Sequence, residues 1–456
     1  MHAPMWLIPL LILLSLIPAP VLLSGWQGPL PVTNERDAEG RVDESAWAAT
    51  LTAALEQDVR ALAGKYPSRS PARPARLEGA AAWIESRLQT MGYTVAREPF
   101  EATDERGTIV TLRNLYVEVP PNSPDDRWLV VGAHYDTVTG TPGADDNASG
   151  VAGVLAIASW FRGRPQAIGL RFEFYSNEEA LFLHSKQVGS LQRARKAVEA
   201  GESIVGAIVL EMIGHYTGNA VSPEAIAMAE QYQVSLPETD LFLAVAGWET
   251  ARTLADAIVT AWRGPVEAVA VIGPVGDAML ARSDHWSYLQ AGVPAVMLTD
   301  TAEFRNPHYH GRGDAPSTLD FERMAQAVEA IRGVVTAIAT QPPTVTPVTA
   351  PGRLAVLRNE GDQVIQVRLG WRPGSPVDLQ PGEALEVDGR AFAPITLEGL
   401  ALVHVGAGQV RVEGDSASPV RVTVDGDPMQ TLLGDGAWTT LPRTGVVRIG
   451  PVTLGF

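Results

Sequence analysis

The sequence predicts an α/β protein with a mixed, mainly parallel sheet flanked by helices, followed by a small all-β sandwich domain. Three observations support this prediction. Between residues 44 and 340, apolar runs of strand length alternate with stretches of helical spacing. A proline- and threonine-rich linker, residues 341–353, interrupts that pattern. Beyond the linker, short alternating segments are separated by turn pairs such as Pro373-Gly374 and Asp425-Gly426.

The length of 456 residues exceeds what one hydrophobic core usually supports. We therefore divide the chain into an N-terminal apolar segment at 1–26, the α/β domain at 44–340, the linker and a β-domain at 354–456. The β-domain is expected to have seven or so strands. No cluster of His and Asp residues marks it as a site of chemistry.

The N-terminal segment bears on localisation. Met5 to Ser24 carry no charge and are long enough to cross a bilayer as a helix. Apart from His2 and the amino terminus nothing basic precedes the run, and no clean A-x-A cleavage site follows it, so a retained anchor fits better than a cleaved signal peptide. Pro9, Pro18 and Pro20 are awkward for a helix. We expect an extracytoplasmic protein, membrane-anchored or secreted.

Charge and cysteine content exclude some classes of function. The formal net charge is −17, which argues against nucleic acid as a partner because nucleic-acid binding needs a basic surface. The chain has no cysteine, so disulfides and thiolate zinc sites are both excluded. Any metal must be held by His, Asp and Glu.

The elements of the α/β domain follow from periodicity and from helix stop signals. The first helix has apolar residues at helical spacing, and the second ends at Gly92. Helices are predicted at 44–63, 80–91, 148–161, 185–199, 249–263 and 321–339. Strands are predicted at 93–100, 109–119, 128–133, 170–175, 203–212, 268–272 and 295–298. The stretch Gly214 to Leu241 lacks clear periodicity and is expected to form a wall or lid over a site.

Two motifs follow the strand at 128–133. In VVGAHYDTV, the strand leads to His134, and Asp136 is placed to orient its ring. A single histidine after a strand is more often an ordinary hydrogen-bonded residue. In PGADDNASG, Asp145 and Asp146 precede a helix, where an N-cap role explains either acid singly but both together less well.

Two further motifs place carboxylates at strand ends. In FYSNEEALFLHS, Glu178 and Glu179 are adjacent, which is costly unless a cation or proton neutralises them, although a solvated acidic loop explains the segment about equally well. In AIVLEMIG, Glu211 lies within an apolar run and needs a partner if buried. His310 follows in NPHYHGRGD.

Taken in order, these motifs resemble the M28 zinc peptidases, which include bacterial leucine-type aminopeptidases. The resemblance covers about residues 45 to 340. It rests on AAAWIESRLQTMGYTV, the His-x-Asp pair, GADDNASG, the Glu-Glu pair, LEMIG, SDHWSYLQAGVPAVMLTD and YHGRGD. Each motif alone is modest, but all of them in order with matching spacing are highly specific.

The resemblance implies a zinc exopeptidase fold and two zinc ions. One ion would be held by His134 and Glu211, the other by Glu179 and His310, with Asp146 bridging both. Glu178 matches the general base, and Tyr309 matches a tyrosine that some members of the family use to stabilise the oxyanion. Asp136 and Asp314 would support His134 and His310. The resemblance also implies a cis peptide bond between Asp146 and Asn147.

The chemistry of these residue types agrees with that assignment. Two histidines and three carboxylates provide the nitrogen and oxygen ligands that suit zinc, with manganese or cobalt as substitutes. The expected function is metal-dependent hydrolysis of peptide bonds, with release of N-terminal residues from a peptide substrate by an aminopeptidase.

Other functions of the same fold stay open. A carboxypeptidase or dipeptidase needs a basic residue for the substrate carboxylate, with Arg282, Arg305 and Arg312 as candidates. A glutaminyl cyclase uses one zinc, so it would show a degraded second ligand set. A non-catalytic ectodomain would lose ligands or the base.

Overall fold

The structure is a computed structural model that describes residues 37, 41–104, 107–179 and 187–342, together with the backbone of strands between 355 and 455. The predicted N-terminal segment at 1–26 and the linker residues 343–353 lie outside the described residues. Among the helices that the structure describes, none is long and apolar enough to cross a bilayer.

One eight-stranded sheet forms the centre of the α/β domain, in the order β1-β2-β4-β3-β5-β8-β6-β7. Neighbours β4, β3, β5 and β8 run parallel, as do β6 and β7, whereas the pairs β1-β2, β2-β4 and β6-β8 are antiparallel. The predicted mixed, mainly parallel sheet is therefore confirmed. The strands are β1 (Ala96–Thr103), β2 (Ile109–Val119), β3 (Arg127–His134), β4 (Gly169–Tyr175), β5 (Ser203–Glu211), β6 (Phe242–Trp248), β7 (Glu267–Gly273) and β8 (Ala295–Thr299).

Eight helices flank this sheet within the described residues. They are α1 (Glu44–Lys65), α2 (Pro74–Thr90), α3 (Gly150–Phe161), α4 (Gly189–Glu199), α5 (Pro223–Gln231), α6 (Arg252–Ala261), α7 (His285–Gln290) and α8 (Phe321–Thr340). Helices α1, α3 and α8 pack on one another, and α4 packs on α7. Side chains of Asp43 and Asp320 cap the first and last of these helices by accepting hydrogen bonds from backbone N–H groups.

Periodicity located most of these elements and missed three. Strand β2 has the predicted bounds, and α1 and α8 differ from prediction only at their C-terminal ends. Strand β6 was missed because its seven residues are buried on both faces and show no alternation. Helices α5 and α7 are short, and α5 buries only Ala225 and Ala229, which is too small a stripe to read as amphipathic.

The described residues beyond the linker include twelve strands, where seven or so were expected. They form two six-stranded antiparallel sheets. Their bounds are β9 (Ala355–Asn359), β10 (Ile365–Leu369), β11 (Val377–Leu379), β12 (Ala384–Val387), β13 (Ala393–Leu397), β14 (Ala401–Gly406), β15 (Gln409–Glu413), β16 (Val420–Val424), β17 (Asp427–Leu432), β18 (Asp435–Thr440), β19 (Val446–Ile449) and β20 (Val452–Gly455).

The packing of α1 on α3 makes Trp47 a test of fold stability. Its indole is fully buried, meets Trp160 edge-on at 5.6 Å between ring centroids, and donates from Nε1 to Ser159 Oγ at 3.1 Å. We expect Trp47→Ala to lower the free energy of unfolding by about 3–5 kcal/mol, because it leaves a cavity in the core. Denaturant unfolding followed by circular dichroism measures this, with Trp83→Ala at a partly buried position as control. Equal loss in both variants would contradict the prediction.

Candidate metal centre

Three adjacent parallel strands bring the predicted site residues to one edge of the sheet. Strand β3 ends at His134, β5 ends at Glu211, and β4 ends three residues before Glu178. Because β4, β3 and β5 are neighbours and run in the same direction, their carboxyl ends lie side by side.

Asp146 reaches this edge from the irregular helical turn Ala144–Ser149, which is buried throughout. The peptide bond between Asp146 and Asn147 is cis, as the resemblance implied. Asn147 ties the turn to the end of β5: its Nδ2 donates to Leu210 O at 2.9 Å, and its Oδ1 accepts from Met212 N at 3.2 Å. The position of Asp146 is thus fixed against the strand that carries Glu211.

The carboxylate of Asp146 lies between the two histidines. Nε2 of His134 is 3.4 Å from Asp146 Oδ1 and 3.0 Å from Glu211 Oε2. Nε2 of His310 is 3.2 Å from Asp146 Oδ2 and 3.2 Å from Glu179 Oε2. Each oxygen of Asp146 therefore faces a different histidine, and each histidine faces one further glutamate. The structure brings all five predicted metal ligands together in this arrangement.

Several buried groups of this cluster fit a bound cation. Asp146 Oδ1 is buried and has no hydrogen-bond partner among the described residues. Burial, together with the charge of Asp146, raises the pKa of Glu179 to about 7. Burial raises the pKa of Glu178 well above its usual value. Buried carboxylates of like charge are stabilised by positive charge, and a set of nitrogen and oxygen donors suits zinc.

Geometry alone does not separate Glu178 from the ligands. Ligand atoms of His134, Glu178 and Glu211 lie within 4.8 Å of one another, and so do those of His134, Asp146 and Glu179. Glu178 Oε2 is 3.8 Å from His134 Nε2, whereas Glu211 Oε2 is 3.0 Å from the same atom. Glu178 is thus beside the cluster but farther from the histidine than the glutamate predicted to bind with it.

The two acids predicted to orient the histidines mainly hold backbone. Asp136 Oδ1 is 3.6 Å from His134 Nδ1, longer than a hydrogen bond. Its oxygens instead accept from the backbone N–H groups of Glu178 at 3.2 Å and Glu179 at 3.3 Å. Asp314, which we expected behind His310, accepts from the N–H groups of Asp145 at 2.8 Å and Asp146 at 3.1 Å. Asp136 therefore positions the segment that carries Glu178 and Glu179, and Asp314 positions the turn that carries Asp146.

Tyr309 lies at the edge of the cluster. Its ring stacks on the imidazole of His310, with 3.8 Å between centroids. Its hydroxyl accepts a hydrogen bond from Arg282 Nη2 at 3.4 Å, and Arg282 also forms an ion pair with Glu303. Burial, together with the charge of Asp146, raises the pKa of the Tyr309 hydroxyl, so this hydroxyl keeps its proton and can donate it in a hydrogen bond.

A cavity of about 250 Å³ opens beside the carboxylates. Its floor includes Glu178, Glu211 and Tyr309, and its far wall is apolar. The stretch predicted as a wall or lid forms part of this wall, through helix α5 and the loop after it, and strands β6, β7 and β8 and neighbouring loops form the rest. Apolar lining residues include Ala225, Met228, Ala229, Tyr232, Leu236, Ala244, Ala246, Val271, Met279, Leu280 and Met297.

Hydrogen bonds join the two ends of the chain stretch that contains helix α5. We call residues 217–240 the wall segment. The carboxylate of Asp240 accepts from Thr217 N at 2.8 Å, Thr217 Oγ1 at 2.7 Å and Gly218 N at 2.7 Å. Ala220 and Thr239 add a β-bridge. The two ends of the segment are thereby joined where it leaves the sheet.

Two residues at the site were not foreseen. Ser283 Oγ donates to Glu211 Oε2 at 2.7 Å, and the buried guanidinium of Arg69 lies behind the loop that links His134 to Asp146. Ser283 is the first residue of the SDHW motif, which could have drawn attention to it. Nothing in the proline-rich loop around Arg69 marks that residue, because its hydrogen bonds go to backbone carbonyls.

Known proteins match the chain over the same region. The chain is 31% identical to the uncharacterized protein YfbL of Escherichia coli (strain K12) over 294 residues, covering 62% of this chain and 86% of that protein. It is 25% identical to leucine aminopeptidase 1 of Trichophyton equinum, covering 57% and 67%.

Among solved structures, a Zn-dependent exopeptidase from Parabacteroides distasonis covers 63% of this chain and 97% of its own, with 17% identity and a TM-score of 0.47. A glutaminyl cyclase of Porphyromonas gingivalis covers 62% and 97%, with 19% identity and a TM-score of 0.48. Residues 114–335 match the model of Peptidase family M28. The chain therefore belongs to peptidase family M28, which confirms the resemblance and makes it a zinc-dependent peptidase.

Proposed function

We propose that the chain is a two-zinc aminopeptidase that releases N-terminal residues from peptides. The observation that carries this proposal is the carboxylate of Asp146, whose two oxygens face His134 and His310 separately. One zinc would be held by His134, Asp146 and Glu211, the other by Asp146, Glu179 and His310. When bound, the ions would polarise the scissile carbonyl and lower the pKa of the attacking water.

Glu178 is the proposed general base. The backbone N–H groups of Glu178 and Glu179 both donate to Asp136, which holds this segment in place. The Glu178 side chain lines the cavity. A raised pKa suits a group that takes a proton from water and returns it to the leaving amine. Glu178 would therefore move the proton while its neighbour Glu179 stays committed to the metal.

Tyr309 would stabilise the oxyanion, and Arg282 would hold its hydroxyl in place. Both line the cavity, and the Arg282 guanidinium lies against the Tyr309 hydroxyl. A neutral hydroxyl aimed at the scissile carbonyl donates a hydrogen bond that strengthens as negative charge develops. Stacking on His310 and the contact with Arg282 hold the Tyr309 ring in place before the reaction begins.

The apolar wall predicts a preference for large apolar N-terminal residues. Ala246 lines the cavity from β6 and is 3% exposed, so a longer side chain there occupies space that a leucyl group needs. We expect Ala246→Met to lower kcat/KM for leucyl anilide relative to alanyl anilide by roughly 10-fold or more. Ala257→Met, at a partly buried position of α6 that does not line the cavity, is the control. An unchanged leucyl-to-alanyl ratio would argue against this pocket.

The competing functions make different demands on the site. A carboxypeptidase or dipeptidase needs a free cation for a carboxylate. Of the three candidate arginines only Arg282 lines the cavity, and it already pairs with Glu303. A glutaminyl cyclase with one zinc does not need a second set of metal ligands, yet Glu179 and His310 both lie beside Asp146. These observations favour the aminopeptidase.

A paired assay tests the proposal. Purified full-length protein is incubated with aminoacyl anilides and with N-blocked peptides, with and without chelator and with zinc restored. We expect cleavage only of substrates with a free amino terminus, loss of cleavage with chelator and recovery with zinc. Cleavage confined to blocked peptides, or cleavage that chelator leaves unchanged, would overturn it.

A further inference from the structure

One buried side chain, that of Arg69, contacts both ends of the loop between His134 and Asp146. Arg69 is fully buried, and its guanidinium donates from Nε to Tyr135 O at 2.6 Å, from Nη1 to Pro142 O at 2.8 Å and from Nη2 to Gly143 O at 2.7 Å. Tyr135 directly follows one proposed ligand, and Gly143 lies three residues before another. One planar group therefore spans both ends of the loop.

The backbone around Arg69 follows the same loop. Thr137 N donates to Arg69 O at 3.1 Å, and Ser68 N donates to Thr141 O at 2.8 Å. Ser70 Oγ and Thr139 Oγ1 share a hydrogen bond of 2.8 Å. The segment from Ser68 to Ser70 thus lines the loop along its length, and the guanidinium closes both ends.

The fit at Gly143 is too close for another residue. Gly143 has a φ of 62°, and a Cβ there would lie 3.1 Å from Arg69 Nη2 and 2.5 Å from Asp146 O. Glycine is needed for this approach. Glycine at this position therefore lets the guanidinium approach the backbone immediately before the turn that carries Asp146.

The charge of Arg69 is also unusual. Among the described residues no carboxylate lies within the 4.0 Å of an ion pair with it, yet the carboxylates of Asp314, Asp146, Asp136 and Glu179 all act on it from farther away. Burial lowers the pKa of its guanidinium to about 10, and those four acids oppose that shift, so the group stays charged at neutral pH.

We propose that Arg69 is a positioning residue for the metal centre: its three-way contact with backbone carbonyls sets the spacing between His134 and Asp146. This inference rests on the ligand assignment made above. In this role, Arg69 contacts neither substrate nor zinc. Outer residues that fix ligand orientation commonly contribute 10- to 100-fold to metal affinity.

Zinc affinity distinguishes this role from two simpler ones. If Arg69 acted only through its charge, its removal would tighten zinc binding, because a cation near the site repels zinc. If it served only general stability, its removal would leave zinc affinity unchanged. Positioning predicts that zinc binds more weakly even though the repelling charge is gone.

The experiment measures zinc dissociation constants of full-length protein by competition with a chelating dye, after metal removal. We expect Arg69→Met to raise the dissociation constant by roughly 10- to 100-fold. Arg69→Lys keeps the cation but lacks the planar fork, so it is also expected to bind zinc more weakly, and it serves if Arg69→Met does not fold. Arg332→Met is the control. Arg332 lies on α8 and packs over Trp160 of α3, away from the site.

The possible outcomes test the positioning role of Arg69 separately from the assignment of the metal ligands. Unchanged or tighter zinc binding in the Arg69 variants would overturn the positioning role while leaving the ligands intact. Equal weakening in Arg332→Met would also overturn it. Absence of tight zinc binding in the unsubstituted protein would overturn the ligand assignment, and the positioning role with it.

Discussion

Glu178→Gln is expected to cut turnover by about 10²–10⁴-fold while zinc content stays that of the unsubstituted protein. The substitution removes the proton acceptor and keeps the size and shape of the side chain, and general-base catalysis is worth a factor of that order. The backbone hydrogen bond from Glu178 N to Asp136 does not depend on the side chain, so the loop should keep its place.

Zinc content shows whether Glu178 is a metal ligand or the general base, since the geometry allows both roles. Steady-state kinetics on leucyl anilide gives turnover, and atomic spectroscopy of dialysed protein gives zinc per chain. Glu118→Gln, at a carboxylate that pairs with Arg171 far from the site, controls for the loss of one charge. If Glu178→Gln loses zinc in parallel with activity, Glu178 is a ligand; if it keeps full activity, Glu178 is not the base.

Asp146→Asn is expected to release both ions and to lower activity by at least about 10³-fold. Among the described residues, the Asp146 carboxylate is the one that lies within 4.0 Å of both histidines, and an amide offers a single oxygen in place of two. Metal polarisation of the carbonyl and of water is worth several kcal/mol, which corresponds to a factor of that size.

The neighbouring acid provides a matched control. Asp145 accepts from Gly214 N at 3.0 Å and Asn306 Nδ2 at 2.8 Å and faces away from both histidines. Asp145→Asn should therefore lower thermal stability but retain two zinc ions per chain. By contrast, Glu211→Gln should lose one ion. Retention of two ions by Asp146→Asn would rule out the bridging role.

The sequence contained most of the site because its residues follow strand ends. Buried apolar runs located β3, β4 and β5, and parallel neighbours necessarily bring His134, Glu178 and Glu211 to one edge. Loop contacts were less accessible. The partners of Asp314 are backbone N–H groups 168 and 169 residues away in the chain, and no local pattern encodes such a contact.

The same reasoning explains which parts of the fold were missed. Strand β6 is buried along its whole length, and a continuous apolar run does not distinguish a strand from a buried helix. Helix α5 is defined by its cap, where Ser222 accepts from Ala225 N at 3.2 Å, and by Pro223 at its first position. These signals are present in the sequence, but α5 lacks the apolar stripe that would have given them weight.

The wall segment has a consequence for how specificity can diversify. Because Asp240, Thr217 and Gly218 close its base by their own hydrogen bonds, the chain enters and leaves the sheet at one place whatever lies between. Lengthening such a closed loop costs little, roughly 0.6 kcal/mol for each doubling. Insertions, deletions or grafts between Val221 and Leu236 could thus reshape the cavity while the carboxylates keep their geometry. The part of the cavity that the wall segment lines can therefore change in evolution without a change at the metal centre.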